Sequence, residues 1–233
     1  MTMLTKTSHP TTTMLSLLFF YACFIIPPTI KLTTANDAPG GKGKAIFLLA
    51  GQSNMAGRGG VVNDKWDGYV PPQSFPNPSI LRLSADLNWQ QATEPLHRDI
   101  DYFRACGVGP GIAFANALLR KDAGIGVIGL VPCAVGGTNI SEWARGGRLY
   151  NQLIRRSKAA VEGGGSIKGL LWYQGESDTV SREDAELYKR RSQRFFEHVR
   201  SDLLLPTLPI IQVALASGAG SYIEEVREAQ LGM

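Results

Sequence analysis

Ala45-Ile46-Phe47-Leu48-Leu49-Ala50 runs without a break into Gly51-Gln52-Ser53-Asn54-Met55. An apolar run that stops at a glycine reads as a strand buried on both faces, handing its last residues to a turn. In open α/β sheets, ligand chemistry lies just outside the carboxyl ends of the strands. A serine delivered there, among small neighbours, has an exposed hydroxyl. Ser53 is therefore a candidate nucleophile.

Outward from this stretch, residues 125–131, 169–173 and 209–215 are further apolar runs of strand length. Between them lie helical patterns. Residues 111–121 follow a Gly-Pro-Gly turn, residues 149–162 run to a Gly163-Gly164-Gly165 stop, and residues 182–204 form a long amphipathic stretch. Strands alternating with helices predict an α/β fold with a mainly parallel sheet. Residues 57–107 break the rhythm, and Pro71, Pro72, Pro76 and Pro78 exclude a long helix there. Such an insertion after the first strand reads as a substrate-binding elaboration or as a surface loop.

Two more segments follow strands as Ser53 does: Pro132-Cys133-Ala134-Val135-Gly136-Gly137-Thr138 and Gln174-Gly175-Glu176-Ser177-Asp178. Together the three supply what acyl transfer from oxygen needs. Ser53 can attack, the backbone N–H groups of Ser53 and of Gly136 or Gly137 can face a developing oxyanion, and the Gln174 amide can donate another hydrogen bond. Bare glycine backbone admits close approach of substrate.

At 233 residues one domain is expected, and the formal net charge of +4 falls further when residues 1–35, which hold Lys6 and Lys31 and no acid, are set aside. No basic stripe interleaved with aromatics is present, which argues against nucleic acid as a partner. Residues 1–35 read as a secretory signal peptide: Lys6 in a polar lead, an apolar stretch from Met14 to Ile26 too short to span a bilayer, then Thr33-Thr34-Ala35 for cleavage. The mature chain, residues 36–233, would be secreted, with no stable membrane anchor. Cys106 and Cys133 would then meet an oxidising compartment, as a disulfide or as two buried thiols. Asn139-Ile140-Ser141 is a glycosylation sequon inside the glycine-rich second loop, an unfavourable place for a glycan.

Gly51-Gln52-Ser53-Asn54-Met55, Glu94-Pro95-Leu96-His97-Arg98-Asp99-Ile100-Asp101, Gly107-Val108-Gly109-Pro110-Gly111 and Trp172-Tyr173-Gln174-Gly175-Glu176-Ser177-Asp178 resemble the plant carbohydrate esterases of the sialate O-acetylesterase-like group, within the SGNH hydrolase superfamily. The resemblance runs from about Lys44 onward. It implies a three-layer α/β/α sandwich with strands ordered as in flavodoxin-like folds. It also implies hydrolysis of acyl esters of carbohydrates, chiefly acetyl esters, with neither metal nor cofactor. Ser53 would be the nucleophile, with Ser53, Gly136, Gly137 and Gln174 forming the oxyanion hole. Asn54, His97, Asn139, Trp143 and Glu176 are candidate substrate contacts. The group's pattern adds an Asp-x-x-His that this sequence does not contain. The expectation is therefore an esterase cut before its catalytic Asp and His and impaired in this form. The alternative is a non-catalytic carbohydrate-binding protein that keeps the pocket. The resemblance and the leader together suggest a cell-wall or apoplastic setting.

No other histidine substitutes readily. His9 is in the leader, His198 falls on the long helix, and His97 lies in the insertion, as a base only if it reaches the serine. Glu176 and Asp178 suit bracing of the loops better than catalysis, since a carboxylate does not replace an imidazole tuned near neutral pH. Gly107-x-Gly109-x-Gly111 lacks the dinucleotide-binding spacing, and Gly41-Lys42-Gly43-Lys44 precedes a strand where a phosphate loop would follow one. Of the four tryptophans, Trp172 reads as core, and Trp89 and Trp143, in loops, as platforms for sugar rings.

Overall fold

The computed structural model describes residues 43–233, so the expected leader lies outside the described residues. In chain order the elements are β1 (Ala45–Gly51), α1 (Ser53–Ala56), β2 (Val61–Val62), β3 (Lys65–Trp66), β4 (Ile80–Leu83), β5 (Trp89–Gln91), α2 (Pro110–Lys121), β6 (Ile128–Pro132), α3 (Arg148–Glu162), β7 (Ser166–Tyr173), α4 (Arg182–Asp202), β8 (Ile210–Gln212) and α5 (Ile223–Leu231). Short 3₁₀ turns occupy Ile140–Trp143 and Glu176–Thr179.

A six-stranded sheet runs β5-β4-β6-β1-β7-β8, and every neighbouring pair is parallel except β4 with β5. β1 is buried along its whole length. Alternate side chains of a strand face opposite ways, and here both ways lead into core. Ile46, Leu48 and Ala50 pack with Leu153 of α3, Tyr188 and Phe195 of α4 and Val226 of α5. Phe47 and Leu49 pack with Met55 of α1 and Ile112 and Ala115 of α2. The sheet thus has helices on both faces, the three-layer sandwich expected. Under the first face Trp143 meets Trp172 edge-on at 5.2 Å, and Trp172 lies 4.6 Å from Phe195. Each such aromatic pair adds about 0.5–1.5 kcal/mol beyond area burial.

The strand order matches the flavodoxin-like expectation with an addition. With β4 and β5 set aside, β6-β1-β7-β8 runs second-first-third-fourth in chain order. The insertion contributes β4 and its antiparallel partner β5 to the sheet beyond β6, where the sequence reads as a loop. Arg82 hid β4 from a reading by hydrophobicity. It is almost fully buried and paired with Asp99.

Local sequence explains the helix ends. Pro110 opens α2 where its missing N–H costs nothing, and Arg120 and Lys121 sit in the last turn, where the helix dipole favours cations. Ser181 caps α4 by accepting the Asp184 N–H at 3.1 Å. Arg156 on α3 is fully buried and donates to the carbonyls of Pro132 (2.9 Å), Ser84 (2.8 Å) and Leu83 (2.7 Å). One guanidinium thereby fastens the carboxyl ends of β4 and β6 to the helix layer. Cys106 and Cys133 are both buried free thiols, which decides between the two expectations for them.

Candidate active site

The turn after β1 is tied to both neighbouring strands. The Gln52 N–H donates to the Tyr173 carbonyl at 2.9 Å, and the Val135 N–H to the Gly51 carbonyl at 3.0 Å. Gly51 has φ +132°, and a Cβ there would lie 2.1 Å from the Tyr173 oxygen. Ser53 follows as the first residue of α1, half-buried, and lines an open cleft of about 620 Å³ with Val135, Gly136, Gly137, Thr138 and Arg58.

Gly136 faces Ser53 closely. A side-chain carbon on it would stand 3.5 Å from Ser53 Cβ and 2.5 Å from Arg58 Nη2, so it would fit only if the Arg58 guanidinium moved. Gly137 has φ +75°, a left-handed conformation suited to glycine. The loop is pinned at its base, where Thr138 Oγ1 donates to the Val135 carbonyl at 2.9 Å and accepts from Trp143 Nε1 at 3.2 Å. The backbone N–H groups of Ser53, Gly136 and Gly137 have no partner among the described residues, and all three residues line the cleft. Unpaired N–H donors around a nucleophile are what an oxyanion hole requires.

Arg58 borders the cleft. Its Nη2 pairs with the buried Asp101 carboxylate at 2.5 Å, and its Nη1 donates to the Gly57 carbonyl at 2.9 Å. Sequence reasoning passed over Arg58; its place in a glycine-rich turn five residues after Ser53 was the available signal.

Gln174 departs from its expected role. Its amide nitrogen faces only acceptors: the Thr138 carbonyl at 3.0 Å, Gln52 Oε1 at 3.3 Å and the Asp178 carboxylate. The side chain is fully buried, so its N–H groups are committed inward and the oxyanion assignment to Gln174 is corrected. It acts as the knot joining the three loops. Gln52 Oε1 also accepts the Ser177 N–H at 3.3 Å. Asp178 completes the knot by accepting the Ile140 N–H at 3.0 Å, and burial raises its carboxyl to about 6, with the Gln174 and Ile140 hydrogen bonds opposing.

The expected substrate contacts largely turn inward. Asn54 donates to Glu176, which is buried and whose carboxyl is raised above the usual range by that burial. Trp143 is fully buried in the aromatic core and presents no face to a sugar. Trp89 lies on the edge strand β5, with the Lys44 ammonium 5.4 Å from its ring and its far edge against Gly129, near the amino end of β6. Its backbone pairs with Leu83 at the carboxyl end of β4, and it does not line the Ser53 cleft. Asn139 Oδ1 accepts from Ser141 Oγ at 2.6 Å, so this side chain folds onto its own turn. His97 is fully buried and does not line the cleft; burial above all, with Arg82, Arg156 and Arg58 adding to it, lowers its pKa to about 3. It is neutral and sealed away, neither a contact nor a base. His198 is on α4, against Ile140 and Phe195 in a separate groove.

The result is a mainly parallel α/β/α sandwich with Ser53 at the carboxyl end of its central strand β1. The fold is shared with NanS (TM-score 0.62, 19% identity, 81% of this chain and 71% of that one) and with a carbohydrate acetylesterase from Xanthomonas citri (TM-score 0.54, 21% identity, 81% and 47%). Residues 43–233 match the family model described as carbohydrate esterase, sialic acid-specific acetylesterase, and the chain belongs to that family. A protein of Arabidopsis thaliana named "Probable carbohydrate esterase" is 57% identical over 195 residues, 81% of this chain and 75% of the relative. An Arabidopsis thaliana crystal structure superposes with a TM-score of 0.79 at 56% identity, covering 82% of this chain and 81% of that one.

Proposed function

We propose that the chain is a serine esterase that hydrolyses acetyl esters on carbohydrates. The observation that carries this reading is the cleft in which Ser53 faces Gly136, with the N–H groups of Ser53, Gly136 and Gly137 unpaired. In the reaction Ser53 Oγ attacks the ester carbonyl and its proton passes to a base. The carbonyl oxygen gathers negative charge against the free N–H groups. The sugar leaves as an alcohol, and water then releases acetate from Ser53.

Among residues 43–233 no imidazole reaches the cleft, since His97 is sealed and His198 lies elsewhere. A neutral alcohol attacks esters slowly. Loss of the base in a serine hydrolase costs about 10⁶ in turnover and leaves roughly 10³–10⁴ over water. The 233-residue chain should therefore hydrolyse p-nitrophenyl acetate weakly, lose that activity in Ser53→Ala, and gain turnover when free imidazole is added. Equal rates for the parent and Ser53→Ala, with and without imidazole, would overturn the esterase reading. A second reading is a carbohydrate-binding protein without turnover, which that result would support. The expected leader adds export from the cell to the proposal; amino-terminal sequencing of secreted protein should begin near residue 36, and an intact Met1 would refute it.

A further inference from the structure

Arg104 and Arg148 line the Ser53 cleft with their guanidinium groups exposed and without an ion pair or hydrogen bond among the described residues. Two acids line the same cleft: Asp64, which accepts the Ala105 N–H at 2.7 Å, and Glu142, which accepts the Asn139 N–H at 3.0 Å. Neither pairs with an arginine among the described residues, while the buried Asp101 behind the cleft holds Arg58. Exposed Phe103 adds an apolar face beside Arg104.

A second groove, of about 290 Å³, lies behind the 3₁₀ turn Ile140–Trp143. It too is basic. Arg145 is held by Asp202 and Arg191 by Asp184, while Arg194 has no partner among the described residues. His198 completes its wall. Cleft and groove share the segment 138–148 as a common ridge. That ridge turn has four residues, and at ~2 Å rise each it is only on the order of 10 Å long.

We propose that the two cavities form one track for an acidic polysaccharide, a polyuronate, with Arg104 and Arg148 reading carboxylates next to the acylated unit and Arg194 reading one further along the chain. A planar guanidinium fork matches a carboxylate bidentately, and a free one in a concave wall has such an acceptor to gain. Phe103 would stack on a sugar face. The proposal rests on the carbohydrate-esterase reading and narrows its substrate class.

The test is calorimetric titration of the full chain with an ester-free oligogalacturonate at low salt, with a neutral xylo-oligosaccharide of equal length and a sulfated oligosaccharide as comparisons. Expected are binding of the uronate that weakens with salt, neutral binding at least about tenfold weaker, and a loss of about tenfold, roughly the 1.4 kcal/mol of one good charge-assisted pair, in each of Arg104→Ala, Arg148→Ala and Arg194→Ala. None of these exposed side chains makes an ion pair or hydrogen bond among the described residues, so the variants should melt with the parent. Equal affinity for uronate and neutral oligomers, tighter binding of the sulfated one, or binding indifferent to the variants would overturn the proposal. No ester is broken in these titrations, so their failure is distinct from failure of Ser53-dependent p-nitrophenyl acetate hydrolysis.

Discussion

A methyl group on Gly51 would meet the Tyr173 carbonyl carbon at 2.6 Å as well as its oxygen, at a φ of +132° that side chains rarely adopt. Gly51→Ala should therefore combine steric and conformational strain and cost about 3 kcal/mol. Chemical denaturation would show it as a lowered midpoint with an unchanged slope; a midpoint equal to the parent's would mean the turn relaxes freely. Glu94 gives a second residue-scale expectation. It is buried, accepts the Leu96 N–H at 2.9 Å, and burial raises its carboxyl to about 7 from 4.5. The folded pKa lies above the unfolded one, so this group favours the fold most below about pH 4.5, and that advantage is lost as pH rises toward 7. Asp178 acts in the same direction between 3.8 and about 6. Stability measured from pH 4.5 to 7 should fall by a few kcal/mol, since each tenfold change in proton affinity on folding is worth about 1.4 kcal/mol. Glu94→Gln should flatten most of that slope, and an unchanged slope would refute the assignment. Residue identity was a mixed guide. Ser53 and the glycines could be placed from the primary structure because their position after a strand is local. Gln174, Trp143 and His97 were misjudged because whether a polar or aromatic side chain faces a cleft or a core depends on packing from distant elements.

At the scale of elements, the hydrophobic runs located β1, β6, β7 and the three long helices to within a few residues, because buried parallel strands are continuously apolar. β4 and β5 escaped: they are short, proline-flanked and carry Arg82, Gln90 and Gln91, whose burial or edge position has no local signature. β8 proved shorter than its apolar run, with pairing confined to Leu170, Leu171 and Trp172 of β7. The fastening of these elements depends on Arg156. Removing its side chain leaves three buried carbonyls without their donor, so Arg156→Met should cost about 3–5 kcal/mol, the range for breaking a buried charged network. Thermal unfolding would register this as a fall of many degrees. A variant melting within a degree or two of the parent would show that water or backbone shifts replace the guanidinium.

For the whole molecule, the side of β8 that has no partner strand among the described residues is the weak margin. Ile211 (48% exposed), Val213 (36%), Leu231 (67%) and Met233 (43%) lie along the last strand and α5, and the amide atoms of nearby Gln212 are buried without partners. An unpaired strand edge flanked by apolar side chains is a template for association. The 233-residue chain should bind a hydrophobic dye and self-associate as its concentration rises. Ile211→Lys should reduce both with little change in melting temperature, and a monomer at all concentrations without dye binding would refute this. The opposite margin of the sheet has another character. β4 and β5 are delivered by the segment that also brings Arg58, Asp64, Phe103 and Arg104 to the cleft, whereas Ser53 is locked to β6 and β7 through Gly51 and Gln52. Under the proposed function, the serine and part of the substrate-reading surface, Phe103 and Arg104, thereby rest on separate supports, with Arg148 and Arg194 on α3 and α4. A designer could exchange residues 102–104 to retune which polymer is accepted while keeping Asp101, which holds Arg58, and the Ser53 turn undisturbed, much as a lathe keeps its spindle while the chuck is changed.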